Sequence, residues 1–218
     1  MAYTLRLFTD TFEPNAKPAH LPAANRVLYV TKGAAHVEAG NGLARLTADG
    51  SGFSSGAISI GAGAEGAEVL RWELVRDPEP NDGKLANGTS KRTHAAPIEI
   101  EKRAQYLIRL DSIALGIGGK APMHTHQGPG IRCLIEGGFT VETQGHTHSY
   151  KPGEAWFETG PDPVVAWAPD DKPAKFVRVM ILPRALDGKM STRYVEANPQ
   201  VATQARRWVI YFDKAIEP

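Results

Sequence analysis

The chain has 218 residues, a length that suits one large domain or two small ones. Its 25 basic and 24 acidic residues leave a formal charge of +1, which argues against the basic surface of a nucleic-acid-binding protein. A single cysteine, Cys133, excludes an intrachain disulfide. The sequence has no run of 18 apolar residues and no apolar core of a secretory signal near its start, so we expect a cytoplasmic protein without membrane association.

Short apolar runs bounded by Gly, Pro or Asn predict an all-β fold. The chain holds 22 glycines and 16 prolines, an excess that indicates many short elements joined by tight turns. The length of the runs and their content of β-branched and aromatic residues favour strands over helices. These runs span 26–30, 56–60, 105–110, 131–135, 139–143, 175–182 and 206–212. A helix is a fair alternative for two further segments, 65–75 and 196–205.

The two halves of the chain repeat each other weakly. A shift of 104 residues places His20 on His124, and the order of apolar strand, glycine, hairpin, glycine and strand is shared. Between the halves, the polar and proline-rich stretch 76–97 predicts a linker or a long surface loop. The sequence therefore predicts two copies of one small β-unit. The first, with the start of the linker, covers 1–90, and the second covers 91–218.

Four of the seven histidines cluster as two His-x-His pairs, His124 with His126 and His146 with His148. On an extended strand, a His-x-His pair points both rings to one face, as a chelating pair requires. Neutral imidazole binds Fe, Mn, Ni, Cu or Zn. Because catalytic metals generally keep three protein ligands, the alternative is a set of solvated strand and turn histidines.

The residues around the first pair resemble the motifs of the cupin superfamily. Residues 118–126, followed by Ile135-Glu136-Gly137, are similar to the first cupin motif, in which a glycine precedes His-x-His and a Glu and a Gly follow. Residues 152–158 are similar to the second motif. The likeness covers roughly 105–182 and, more faintly, 15–75, so the chain resembles a bicupin with a degenerate first half. The resemblance implies two small antiparallel β-barrels of the double-stranded β-helix, or jelly-roll, type.

The sequence departs from the cupin pattern at two of four metal-ligand positions. In metal-binding cupins, two His and one Glu of the first motif and one His of the second hold a divalent ion. Here Gly130 stands at the glutamate position and Val164 at the position of the second-motif histidine. The second half therefore either uses substitute ligands or has lost the ion.

The candidate site residues follow from this comparison. His124, His126 and His148 are the predicted metal ligands, with Glu158 as an alternative third ligand or a general base. Arg132 lies within an apolar strand, on the face that would meet the metal. A buried arginine is costly unless it is paired, and its planar fork suits a carboxylate. Arg132 is thus the predicted substrate clamp, unless the strand is an edge strand and the side chain lies in water.

The resemblance implies an enzyme that acts on a small, carboxylate-bearing substrate. A divalent metal would serve as Lewis acid or oxygen-binding centre in oxidative cleavage, decarboxylation or isomerisation. One alternative is a metal-free cupin that binds a ligand or a partner without catalysis. Another is a metal-free pocket in which His124 acts as general base. The strongly β-forming strand 206–212 is expected to pair with the other half or with a second subunit, which predicts a homodimer.

Overall fold

The computed structural model describes residues 2–40, 42–77, 82–101, 103–195 and 206–217, and these are almost entirely antiparallel β-structure. Among them, the only helical segment is a short 3₁₀ turn, Arg184–Leu186. The all-β prediction is confirmed. No helix in this described part of the chain has the length and apolarity that a membrane crossing requires. The chain divides into two compact units, Met1–Arg103 and Ala104–Glu217.

The first unit is one antiparallel sheet. Its strands are β1 (Ala2–Phe12), β2 (Ala19–Leu21), β3 (Asn25–Ala39), β4 (Gly42–Thr47), β5 (Ser51–Ser54), β6 (Ile58–Arg76) and β7 (Thr89–Glu99). The order is β4-β3-β6-β1-β7, with β2 on β6 and β5 on β3. The pairing of β3 with β6 is interrupted at Gly33, which has φ +70° and whose Cβ would lie 2.2 Å from the Gly66 carbonyl oxygen. Only glycine suits this bend.

The second unit has two five-stranded sheets. Its strands are β8 (Tyr106–Leu115), β9 (Lys120–His126), β10 (Gly130–Gly137), β11 (Phe139–Thr143), β12 (His146–Tyr150), β13 (Ala155–Glu158), β14 (Val164–Trp167), β15 (Ala174–Pro183), β16 (Thr192–Tyr194) and β17 (Arg206–Ile216). One sheet has the order β13-β10-β15-β8-β17 and the other β12-β11-β14-β9-β16. Alternate residues of both sheets, such as Leu134 and Phe176 from the first and Phe139 and Val141 from the second, form a common apolar core.

The units share a strand order, since β3-β6-β1-β7 in the first corresponds to β10-β15-β8-β17 in the second. The segment 65–75 lies within strand β6 and is not a helix. The other possible helix, 196–205, lies outside the described residues. The linker prediction for 76–97 is wrong for its last part, because β7 pairs with β1 there. Ala96 on β7 is buried while its neighbours face solvent, an alternation that the polar composition concealed.

The C-terminal strand also differs from expectation. β17 pairs along its length with β8 of its own unit rather than with the first half. It is the last strand of the order β13-β10-β15-β8-β17, so this pairing uses one of its two edges, and the homodimer stays a prediction.

Candidate functional site

A small cavity lies in the interior of the second unit. Its apolar lining includes Ile113, Phe139, Val164 and Phe176, and its free volume is ≈ 20 Å³, enough for a water molecule or a group of a few atoms. Its polar lining consists of five side chains, His124, His126, Arg132, Glu158 and Arg178. Four of these five are residues that the sequence singled out.

The first His-x-His pair faces the cavity. On β9, His124 and His126 are only 7% and 5% exposed. Met123, the residue before His124, points to the opposite face of the strand and is 47% exposed, as the alternation of a strand requires. The two rings meet edge to face with centroids 4.9 Å apart. The Nδ1–H of His124 donates to the Pro122 carbonyl oxygen at 2.7 Å, which holds the ring in one tautomer and orientation. These two histidines are not solvated strand residues.

Arg132 and Glu158 meet in the same cavity. Arg132 is 1% exposed on β10, which lies between β13 and β15, so it is not on an edge strand. Its Nη1–H donates to the Gly130 carbonyl oxygen at 2.6 Å, and its Nη2 lies 2.7 Å from Oε2 of Glu158. The same Oε2 lies 3.2 Å from Nε2 of His126, and Oε1 accepts a 2.9 Å hydrogen bond from Trp156 Nε1–H.

Burial and charge set the protonation of these groups. Desolvation lowers the pKa of His126 to about 3, against the opposing effect of Glu158, so the ring is neutral at neutral pH. Desolvation also lowers the pKa of Arg132 to about 10, which leaves the guanidinium charged. Burial alone would raise the pKa of Glu158, but Arg132 and the adjoining His126 outweigh it and hold that pKa well below its usual range. The site thus presents a cation, a carboxylate and neutral imidazole.

Two atoms in this group keep unused hydrogen-bonding capacity. Arg132 Nη2 and Glu158 Oε2 are both buried, and within the described residues neither makes an aligned hydrogen bond, although they are in charge contact. A buried polar atom without a hydrogen bond costs about 1–3 kcal/mol. Both side chains line the cavity, so a bound molecule can satisfy both atoms.

Sequence reasoning missed a second buried ion pair. Arg178 on β15 donates from Nε and Nη2 to the two carboxylate oxygens of Asp111 on β8, at 2.6 and 3.0 Å. Trp208 Nε1–H adds a third hydrogen bond to Asp111 at 2.8 Å. These contacts outweigh burial, so the pKa of Arg178 is raised and that of Asp111 lowered. The available signal was the one used for Arg132, a charged residue within an apolar strand.

The structure does not bring His148 to the cavity. It is exposed on β12, an edge strand that follows the turn at Gln144 and Gly145, both of which have positive φ. Its ring packs at 4.5 Å on Tyr150, which in turn stacks on Trp156. Of the predicted site residues, His124, His126, Arg132 and Glu158 lie together and His148 lies apart.

The donor set does not fit a resident divalent metal. In the described part of the chain, no three His, Cys, Asp or Glu side chains are arranged so that they could hold a metal ion. The carboxylate nearest to the histidines, Glu158, is engaged by the charged Arg132, while Arg178 is already paired with Asp111. A divalent cation at the histidines would compete with the Arg132 guanidinium for Glu158, which is electrostatically unfavourable.

Gly130 and Val164, which stand at the two positions where the cupin motifs have ligands, are both enclosed by neighbouring atoms. A Cβ on Gly130 would lie 2.4 Å from the Val179 carbonyl oxygen, a backbone atom that cannot easily move away. Val164 is buried in the apolar core. The polar part of the cavity lining is instead centred on the contact between Arg132 and Glu158.

Comparison with known proteins gives matches of structure. No protein-family model matches the chain, and no curated protein matches it. A formate complex of Lactobacillus farciminis oxalate decarboxylase matches with TM-score 0.65 and 15% identity over 87% of this chain and 79% of that one. AerE from Microcystis aeruginosa matches with TM-score 0.60 and 12% identity over 80% of this chain and 87% of that one. A deletion mutant of Bacillus subtilis oxalate decarboxylase matches with TM-score 0.61 and 14% identity over 88% and 71%. At these identities, the likeness is one of fold.

Proposed function

Since the chain has the fold of the cupin superfamily, as its motif residues predicted, we propose that the cavity of its second unit binds a small carboxylate-bearing molecule through Arg132. The observation that carries this proposal is the buried, charged guanidinium whose Nη2 lines the cavity without an aligned hydrogen bond. A carboxylate matches the planar guanidinium fork in charge and in geometry.

The rest of the lining suits such a ligand. The imidazoles of His124 and His126 provide polar walls, and His126 adds no charge at neutral pH. Phe139 and Phe176 provide apolar walls. Small-molecule sites commonly combine an apolar lining with a few fixed polar groups. The free volume of ≈ 20 Å³ favours a very small acid, or the carboxylate end of a larger one.

Catalysis by proton transfer is a second candidate function, favoured by one contact. Neutral His126 and ionised Glu158 lie 3.2 Å apart beside the proposed carboxylate site. Both groups are proton acceptors at neutral pH, so the pair suits base-catalysed abstraction of a proton from the ligand, as in an isomerisation without a metal. The predicted metal-dependent form of this enzyme needs a third ligand beside His124 and His126, and the Arg132 contact already occupies Glu158. The cytoplasmic location and the homodimer stay predictions.

The test is the binding of formate and acetate, measured by titration calorimetry with wild type and Arg132→Gln. Arg109→Gln is the matched control, because Arg109 is equally buried in the same unit but pairs with Asp213 and does not contribute to the cavity lining. We expect binding to fall by at least about tenfold in Arg132→Gln and to persist in Arg109→Gln, with the folded state of each checked by circular dichroism. Wild-type affinity in a folded Arg132→Gln protein would overturn the proposal.

A further inference from the structure

The geometry of Glu158 sharpens the identity of the ligand, and this inference rests on the proposed function. We infer that the cavity selects a small oxyanion that carries its own O–H donor, namely bicarbonate or the 2-hydroxycarboxylate group of a larger acid. Arg132 binds the anionic oxygens, and Glu158 Oε2 accepts the hydrogen bond from the hydroxyl.

Glu158 has one carboxylate oxygen that is engaged and one that can accept a further hydrogen bond. Its Oε1 is satisfied by the indole N–H of Trp156, which fixes the carboxylate plane. Its Oε2 is buried and, among the described residues, receives no aligned hydrogen bond from either close neighbour, Arg132 Nη2 or His126 Nε2. An ionised carboxylate is an acceptor only, so this oxygen can accept a hydrogen bond from a further donor.

The closeness of Arg132 and Glu158 restricts the chemistry of the ligand. Arg132 Nη2 and Glu158 Oε2 lie 2.7 Å apart, so a molecule that reaches one atom lies beside the other. Any such anion on Arg132 brings a second negative charge near Oε2, and a plain carboxylate has no donor with which to offset that repulsion. An anion with an adjacent hydroxyl instead accepts from Arg132 and donates to Glu158. A site built for a hydroxyl discriminates strongly against an analogue that lacks it.

The volume of the cavity restricts the size of the ligand. The free volume of ≈ 20 Å³ suits groups of only a few atoms. Bicarbonate joins an anionic oxygen and an O–H on one carbon, and a 2-hydroxycarboxylate joins them across one bond. Nitrate has the shape and charge of bicarbonate without the proton, and acetate is glycolate without the hydroxyl. These two pairs isolate the donor as the single variable.

The experiment measures the affinities of wild type for bicarbonate against nitrate and for glycolate against acetate, at one pH near 8 and one ionic strength. We expect each hydroxyl-bearing anion to bind at least about tenfold more tightly than its partner. In Glu158→Gln this preference should disappear. The neutral amide no longer repels an anion, and the carboxylate oxygen that accepts the hydrogen bond from the hydroxyl is gone. Arg109→Gln serves as the buried-pair control, since Arg109 pairs with Asp213 and is not part of the cavity lining.

The outcomes separate this inference from the function on which it rests. Equal binding of nitrate and bicarbonate, and of acetate and glycolate, would overturn the selection for a hydroxyl while leaving carboxylate binding by Arg132 in place. Binding of none of the four anions would overturn the proposed function itself. A preference that survives in folded Glu158→Gln protein would remove Glu158 from the role. The comparison in wild type stands even if that variant does not fold.

Discussion

Glu158 on β13 is the direct cross-strand partner of Gly130 on β10. The chain therefore carries a carboxylate next to the position at which the cupin motif carries its own, but on the neighbouring strand. Because direct partners in an antiparallel pair share one face of the sheet, Glu158 enters the cavity across the space that Gly130 leaves open. There it meets Arg132 at 2.7 Å, so the acid serves an ion pair instead of completing a ligand set.

Replacement of Gly130 tests this steric relationship. Gly130→Ala places a Cβ 2.4 Å from the Val179 carbonyl oxygen and 2.9 Å from the Met180 side chain. We expect a loss of about 1–3 kcal/mol in the free energy of unfolding, the usual cost of overpacking, measured by urea denaturation. Gly56→Ala is the control, because its Cβ would meet Ser54 Oγ at a comfortable 3.9 Å. A Gly130→Ala protein as stable as wild type would show that β10 and β15 can separate freely.

Removal of the Glu158 charge tests the ion pair. Glu158→Gln leaves the Arg132 guanidinium buried without its counter-charge, a change that typically costs about 3–5 kcal/mol. The measurement is again urea denaturation at neutral pH, with the exposed Glu142→Gln as control. A double variant, Arg132→Met with Glu158→Gln, should recover part of the loss because no isolated charge is left. Equal stability of Glu158→Gln and wild type would mean that the ion pair does not stabilise the fold.

The two His-x-His pairs show where prediction from sequence ends. Both pairs have the sequence His-Thr-His, and alternation along a strand was enough to predict that the two rings of each pair share a face. Their fates differ because β9 lies between β14 and β16, whereas β12 is at the edge of the same sheet. Strand order is a property of the whole chain, and no local pattern contains it.

The residues that sequence reasoning missed have the same origin. Arg178 and Asp111 lie 67 residues apart and become neighbours only through the register of β15 on β8. Arg132 could be found because it is a charged residue within an apolar strand and the cupin resemblance placed its face toward the site. The all-β class and the position of the first His-x-His pair, by contrast, were predictable because apolar alternation, glycine spacing and the His-x-His motif are local signals.

His126 makes stability dependent on pH. Its pKa is about 3 in the folded protein against an ordinary value of 6.5, so the unfolded chain binds more protons between these values. The contribution of the neutral ring is therefore complete above pH 6.5 and is lost as the pH falls toward 3, by an amount on the order of a few kcal/mol. Urea denaturation between pH 7.5 and pH 4 should show this slope, and His126→Gln should flatten it. An unchanged slope in the variant would assign the acid sensitivity to other groups.

Cys133 should be chemically inert in the folded protein. It is 1% exposed, and burial raises the pKa of its thiol to about 12, so the reactive thiolate is scarce at neutral pH. We expect no reaction with a disulfide reagent over hours in buffer and one equivalent of reaction in denaturant. Ser149→Cys provides the control, because that position is exposed on β12 and should react at once in native protein. Rapid labelling of native wild type would indicate that β10 opens on this timescale.

Metal content distinguishes a cavity centred on the Arg132–Glu158 ion pair from a metal centre. Protein purified without chelator or affinity tag should contain well under one equivalent of Fe, Mn, Ni, Cu or Zn by elemental analysis, because Arg132 neutralises the Glu158 carboxylate beside His126. Carboxylate binding should likewise be unaffected by chelator. One equivalent of metal in wild type that is absent from His126→Ala would contradict this expectation. It would show that Glu158 leaves Arg132 to become the third metal ligand, and that a bound anion contacts the metal ion as well as Arg132.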